Sequence, residues 1–283
     1  GLNYFSQTGK LAAEAGVKQC AICGADLSFD DYQDLVSQAP ETRFVSEGSY
    51  VESVRAIKTP EEIETIEHAC RISERSFYAL LDVIKPGVTE IDIANELEYQ
   101  FRSRGGSGFC FETIVASGPD NGANCHATAS DRKIQLGDFV TIDFGTYYHG
   151  YCSDITRTVA VGKAKNPELY KMFDVVRKAK DAGQNSLKPG MVMGELRDII
   201  VNVVEDAGYH IPHGPGHNFG LDIHEQPYIC TGSKVVLQPG MVHTIEPGIY
   251  IPGIGGVRQE DDFLITEDGY RRITNITDAL ITL

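Results

Sequence analysis

The chain has 283 residues, 42% hydrophobic and 23% charged, enough for one large globular domain with a piece of another. A formal net charge of −15 argues against nucleic acid or an anionic membrane as partner. No apolar run approaches ~20 residues and no basic-then-apolar leader is present, so neither a transmembrane helix nor a signal peptide is expected.

Residues 1–55 read as a short α/β piece, too small to close a core of its own. A helical run at 11–16 leads to a strand-like run at 20–23, then a helix over 30–38 and a strand near 43–45. Cys20-Ala21-Ile22-Cys23 is a lone CxxC. A zinc ribbon needs a second pair, so two small thiols in a strand are expected. Seven scattered cysteines suggest reduced thiols and a cytoplasmic location.

Residues 56–283 read as the main domain. Thr59-Pro60-Glu61-Glu62 predicts the start of a long helix, with Thr59 as N-cap, Pro60 at the first helical position and Glu62 closing a capping box. Pro86-Gly87 ends it, Thr89 with Asp92 caps the next helix, and Gly105-Gly106 stops that one. Strand formers fill 109–117 and 138–162, with a turn at 147–150. Helices near 167–187 and 193–207 follow, then strands at 241–251, 256–266 and 270–276. Helices then strands, twice, predict an α+β domain with helices backing an antiparallel sheet.

The two halves also match residue by residue. Gly137, Thr141, Ile142 and Gly145 recur 103 positions later as Gly240, Thr244, Ile245 and Gly248, and Lys85-Pro86-Gly87 recurs as Lys188-Pro189-Gly190. Asp143 and Glu246 fall at the same point of each copy (246 − 143 = 103). Asp143 and Asp154 are placed on the arms of one hairpin, Glu246 and Glu260 on the arms of its counterpart, projecting from one sheet face. Between the halves, 213–225 is glycine-rich and carries His213, His217 and His224, read as irregular backbone that lets imidazoles reach a site. Four carboxylates repel unless a cation sits among them; with one imidazole they can hold two divalent ions. Oxygen-rich ligation favours Mn²⁺, Co²⁺ or Fe²⁺ over a thiolate-type zinc site.

The motifs Asp143-Phe144-Gly145, Gly150-Tyr151-Cys152-Ser153-Asp154-Ile155-Thr156-Arg157-Thr158, His213-Gly214-Pro215-Gly216-His217, Gly220-Leu221-Asp222-Ile223-His224, Thr244-Ile245-Glu246-Pro247-Gly248-Ile249-Tyr250 and Gly255-Gly256-Val257-Arg258-Gln259-Glu260-Asp261 come in order over roughly 55–283. With them the chain resembles the pita-bread (creatinase/aminopeptidase) metallopeptidases, in the Xaa-Pro branch of aminopeptidase P and prolidase. The resemblance implies a pita-bread fold with two pseudo-repeated halves and a curved antiparallel sheet. It also implies a dinuclear exopeptidase that hydrolyses the Xaa-Pro imide bond by a metal-bridging hydroxide. Asp143 would bind one metal, Asp154 and Glu260 would bridge, and His217 with Glu246 would complete the second. Manganese is the expected metal, with cobalt, iron and zinc as alternatives. Glu246 would take the proton, His224 would hydrogen-bond the scissile carbonyl and oxyanion, and His126 would approach the scissile bond. Arg258 would orient Glu260 or neighbouring acids, and His213 with Tyr250 would shape the proline pocket.

By the same resemblance, 1–55 would be about the last third of a creatinase-like α/β domain, and the protein a homodimer acting on proline-containing peptides. Gln259 departs from the aliphatic residue common in relatives. The alternatives are a pita-bread hydrolase of another class, methionine aminopeptidase-like or metal-free and creatinase-like, and a non-enzymatic binding protein on the same scaffold. The unchanged ligand set weighs against the metal-free and binding-protein readings.

Overall fold

The computed structural model describes residues 3–24, 27–48 and 50–283. The chain divides into two compact units, Gly1–Arg55 and Ala56–Leu283. Among the described residues, no helix is long and apolar enough to cross a membrane.

The first unit runs α1 (Tyr4–Glu14), β1 (Gln19–Ile22), α2 (Phe29–Gln38), β2 (Arg43–Ser46) and α3 (Tyr50–Arg55). β1 and β2 pair in parallel, with Gln19 opposite Arg43. Ser28 caps α2 by accepting from the Asp31 amide at 3.1 Å. α3 was not expected; six residues are too few to display a helical period. All seven cysteines are outside disulfides.

The second unit opens with α4 (Pro60–Leu80) and α5 (Glu90–Ser103). Both predicted capping boxes form. The Thr59 hydroxyl accepts from the Glu62 amide at 3.3 Å while the Glu62 carboxylate accepts from the Thr59 amide at 2.7 Å, and Thr89 and Asp92 exchange the same two bonds. The α4 residues Ile66, Ala69, Cys70, Phe77 and Leu80 bury one stripe. β3 (Ile114–Ser117), β4 (Phe139–Phe144) and β5 (Ile155–Ala160) then form an antiparallel sheet with β4 central. Helices α6 (Glu168–Ser186) and α7 (Met193–Asp206) open the second half, followed by β6 (His217–Asn218) through β12. These are β7 (Glu225–Tyr228), β8 (Val242–Ile245), β9 (Gly248–Ile251), β10 (Gly255–Arg258), β11 (Asp261–Ile265) and β12 (Tyr270–Arg272). Five of them make a sheet in the order β12-β11-β8-β6-β7, while β9 and β10 form a separate hairpin. The α+β class and the alternation of helices with antiparallel strands are as expected.

The repeat is physical. α5 and α7 begin 103 residues apart (193 − 90), as do β4 and β8 (242 − 139). The Gly87 amide donates to Ile134 O at 2.9 Å, and 103 residues on the Gly190 amide donates to Leu237 O at 2.9 Å. These glycines have φ of 97° and 85°, a region that side chains resist, which explains why the Lys-Pro-Gly turn is kept in both copies. Each half has its own core. Phe77 stacks on Phe144 (5.3 Å) beside Leu97 and Phe101 in the first, and Val176, Ile200, Ile245 and Phe263 pack in the second.

The strand boundaries depart from expectation in informative ways. The run 241–251 breaks at Glu246-Pro247, because proline has no N–H for a ladder. The run 256–266 divides at Gln259-Glu260: β10 pairs with β9, whereas β11 pairs with β8. Glu246 and Glu260 therefore lie in breaks between strands rather than on the arms of a simple hairpin. Residues 213–225 are not wholly irregular, since β6 lies between β7 and β8. The backbone at Gly216 passes so close that a Cβ there would stand 2.2 Å from Thr244 O. Two-residue strands framed by glycine carry too little alternation to be read from sequence.

Candidate metal centre

Asp143 lies near the end of β4, opposite Thr156 on β5. Asp154 stands just before β5, in alternation with Thr156 and Thr158, so the three share a face. In the second half Ile245 is opposite Asp261, which brings Glu246 and Glu260 to the same level just beyond that pair. The two halves thus deliver two acids each, Asp143 and Asp154 from the first and Glu246 and Glu260 from the second. Asp143, Asp154 and Glu260 are 8%, 5% and 1% exposed.

His217 on β6 reaches into the group, its Nε2 3.3 Å from Glu246 Oε1 and 3.5 Å from Asp154 Oδ2. Its Nδ1 faces Asn218 O at 3.0 Å, a pairing that leaves Nε2 aimed at the acids. Atoms of Asp154, His217 and Glu260 all lie within 4.8 Å of one another, close enough to hold an ion. Asp143 and Glu246 join this trio through neighbours. Arg258 Nη2 donates to Asp143 Oδ2 at 2.6 Å, and Glu246 is bound to His217.

A cavity of about 620 Å³ opens above the acids. Asp143, Asp154, Glu246, His217 and Arg258 line it, with His126, His213 and His224 on its walls beside the apolar Phe111, Ile114, Ile223 and Ile229. His224 rests edge-on against His217, ring centroids 4.4 Å apart. Glu260 is buried beneath. Tyr250 is absent from the wall and reaches the site through its hydroxyl, which meets His213 Nε2 at 3.0 Å and accepts from Arg258 Nη1 at 2.6 Å.

The electrostatics are those of crowded anions. Burial, then the charges of Glu260, Asp143, Asp262 and Glu246, push the Asp154 carboxyl well above its ordinary range. Burial, then Glu246 and Asp143, do the same to Glu260, against the bond from Thr156. For Glu246 burial is the largest single influence and opposes ionisation. The hydrogen bond and charge of His217, with the charges of His213 and Arg258, outweigh it and hold the carboxyl down at about 2. His217 is the mirror case: burial disfavours its cation most, yet Glu246 raises it. Burial lowers His213 and His224, so both are neutral at pH 7.

Several participants escaped the sequence reading. Thr156 Oγ1 donates to Glu260 Oε2 at 2.6 Å and accepts from Arg258 Nε at 3.1 Å, so the predicted tie of Arg258 to Glu260 runs through a threonine. Period-two spacing from Asp154 was the signal for it. Asp262 Oδ2 accepts from the Asp154 amide and the Cys70 thiol, both at 3.3 Å. Behind Glu260, Arg157 is 2% exposed and donates to Asp261 Oδ1 at 2.6 Å and Ile276 O at 2.9 Å. Lys180 pairs with Asp261 and Asp278.

The donors fit divalent cations. Asp143 Oδ1 and Glu260 Oε1 are buried without a hydrogen-bond partner among the described residues, in a site already rich in repelling acids. A buried carboxylate oxygen left so is costly unless a cation takes it up.

The pattern of metallopeptidase family M24 matches residues 64–267. The chain is 40% identical over 257 residues to the Xaa-Pro dipeptidase of Pyrococcus furiosus, covering 90% of this chain and 73% of that one. Its backbone superposes on a solved Xaa-Pro dipeptidase from Bacillus anthracis with TM-score 0.95 and 40% identity, covering 100% and 79% of the two chains. An X-Pro aminopeptidase from Thermotoga maritima gives TM-score 0.91 at 32% identity, with 100% and 80% covered. By this likeness in sequence and in fold, the chain belongs to metallopeptidase family M24, whose members use divalent metals.

Proposed function

We propose that the protein hydrolyses the peptide bond before proline at the amino end of short peptides, as a metal-dependent exopeptidase. The observation that carries this is three carboxylates and one imidazole converging on the floor of a cavity walled by histidines, with Glu260 buried beneath them. The names of the relatives, Xaa-Pro dipeptidase and X-Pro aminopeptidase, supply the substrate class.

Asp143, Asp154, His217, Glu246 and Glu260 would hold two divalent cations, with manganese the metal we favour for its preference for oxygen ligands. Bound there, the cations would supply Lewis acidity toward the scissile carbonyl and acidify water at neutral pH. The protein's own groups do the rest. Glu246, ionised across the physiological range, is in the state to accept a proton from the attacking water. Neutral His224 can donate a hydrogen bond to the carbonyl oxygen as charge builds there. Arg258 holds Asp143 in place and, through Thr156, Glu260. His126 contacts the substrate near the scissile bond, while His213, oriented by Tyr250, limits the proline end. Ile223 and Ile229 offer that end an apolar wall. An imide has no N–H to satisfy, so such a wall costs the proline substrate nothing. We further read 1–55 as part of a creatinase-like domain and the protein as a cytoplasmic homodimer, which sizing by light scattering would check.

The test is hydrolysis of Ala-Pro, Ala-Pro-Ala and Ala-Ala by the Mn²⁺-loaded protein. Cleavage confined to the proline peptides is expected. Hydrolysis of Ala-Pro alone would mark a dipeptidase, and of Ala-Pro-Ala an aminopeptidase. Equal rates on Ala-Ala would refute the proline specificity.

A further inference from the structure

We propose that Lys58 and Glu225 form a buried strut that fixes the aim of His224, which makes them positioning residues; its kinetic consequence rests on the function proposed above. The His224 ring leans on His217, and its direction otherwise follows the backbone of residues 219–225. That backbone is wrapped around one carboxylate. Glu225 Oε1 accepts from the Leu221 amide at 2.9 Å and the Asp222 amide at 3.2 Å. Its Oε2 accepts from Lys58 Nζ at 3.1 Å. A further bond, from the Gly220 amide to Asp222 O at 3.0 Å, closes the turn.

Both ends of the strut are anchored. Lys58 and Glu225 are 5% and 6% exposed. The Lys58 amide donates to Gly240 O at 2.9 Å, just before α4 begins. Glu225 opens β7, where side chains alternate, so turning its carboxylate inward sends neighbouring His224 toward the cavity. The loop is also tied to the metal centre, since the Cys152 amide, two residues before Asp154, donates to Gly220 O at 2.8 Å. Gly220 makes room for all of this. A Cβ there would stand 3.0 Å from Glu225 Oε2 and from Lys58 Cε.

Burying a lysine and a glutamate is a poor way to gain stability, because desolvation offsets their attraction and an apolar pair would pack as well. Charge-assisted hydrogen bonds, however, have direction, and three of them here converge on one carboxylate beside a cavity histidine. The chain gains a loop with one conformation at the point where an imidazole must meet a developing charge.

Glu225→Gln tests this with little change of shape. On Ala-Pro, kcat is expected to fall about 10-fold with KM within about threefold of the parent and metal content unchanged. In a His224→Ala background the same change is expected to cost less than about twofold, because the residue it acts through is gone. The imidazole NMR signals of His224 in the metal-free protein should shift or broaden while those of His243 stay in place. Lys58→Met alone strands a buried carboxylate and can fail to fold, so Lys58→Met with Glu225→Gln is the companion variant, expected to give the same His224 signature. An undiminished kcat loss in the His224→Ala background, loss of metal, or an unmoved His224 signal would overturn the strut. Absence of Xaa-Pro cleavage by the parent protein would instead refute the proposed function, and the NMR comparison would still decide the strut.

Discussion

Replacing Glu260 by Gln should move two properties in opposite directions. Atoms of Asp154, His217 and Glu260 lie within 4.8 Å of one another, and Glu260 is 1% exposed. Two unit charges at that separation repel by about 3 kcal/mol at an effective dielectric constant of ~20. Glu260 and Asp154 already relieve part of this by holding protons above the ordinary carboxyl range, so the full figure is an upper bound. The glutamine oxygen can still accept from Thr156, so no buried hydroxyl is stranded. Metal-free Glu260→Gln should therefore be more stable than the metal-free parent by about 1–3 kcal/mol, or ~2–8 °C in melting temperature. Metal affinity should fall by at least about 100-fold, since even partners one step removed from a metal are worth ~10–100-fold. Calorimetric titration with Mn²⁺ and thermal melts with and without chelator measure both. A metal-free variant less stable than its parent, or an affinity unchanged within threefold, would refute the assignment of Glu260 as a ligand held under repulsion.

Three other outcomes are expected. His224→Ala should keep its metals but lose about 100-fold in kcat, the usual scale for a donor to a developing oxyanion, as steady-state rates beside metal analysis would show. Asp278→Asn should cost about 1 kcal/mol at pH 7, a modest figure because the pair with Arg272 is partly exposed. The sign follows from the Asp278 carboxyl. Burial raises it most, but Arg272 and Lys180 win and depress it below the ordinary 3.8, so its contribution is present above that pH and is lost as pH falls through the depressed value. Urea melts of the two proteins should therefore converge below about pH 4. Phe77→Ala should cost about 3–5 kcal/mol by denaturant titration, because Phe77 is fully buried and stacked on Phe144.

Much of this was legible before the fold. Helix starts at Thr59 and Thr89 were written in capping boxes, and local hydrogen bonds of that kind need no tertiary context. The 103-residue offset located matching acids because a duplicated turn keeps its glycine wherever φ is positive, as at Gly87 and Gly190. Strand ends were harder. The breaks that carry Glu246 and Glu260 depend on which neighbour each strand pairs with, and pairing across the sheet leaves no local mark. β6 was missed for the same reason, as its two residues owe their extended form to β7 and β8. Residues that act through others, such as Asp262 and Lys58, were invisible because what they touch is far away in sequence: Lys58 meets Glu225 across 167 positions.

The most direct measurement is anomalous diffraction from crystals grown with Mn²⁺, read at the manganese edge. Two peaks per chain, within coordination distance of Asp143, Asp154, His217, Glu246 and Glu260, are predicted. Peaks elsewhere, or none at a concentration that supports hydrolysis of Ala-Pro, would contradict the account.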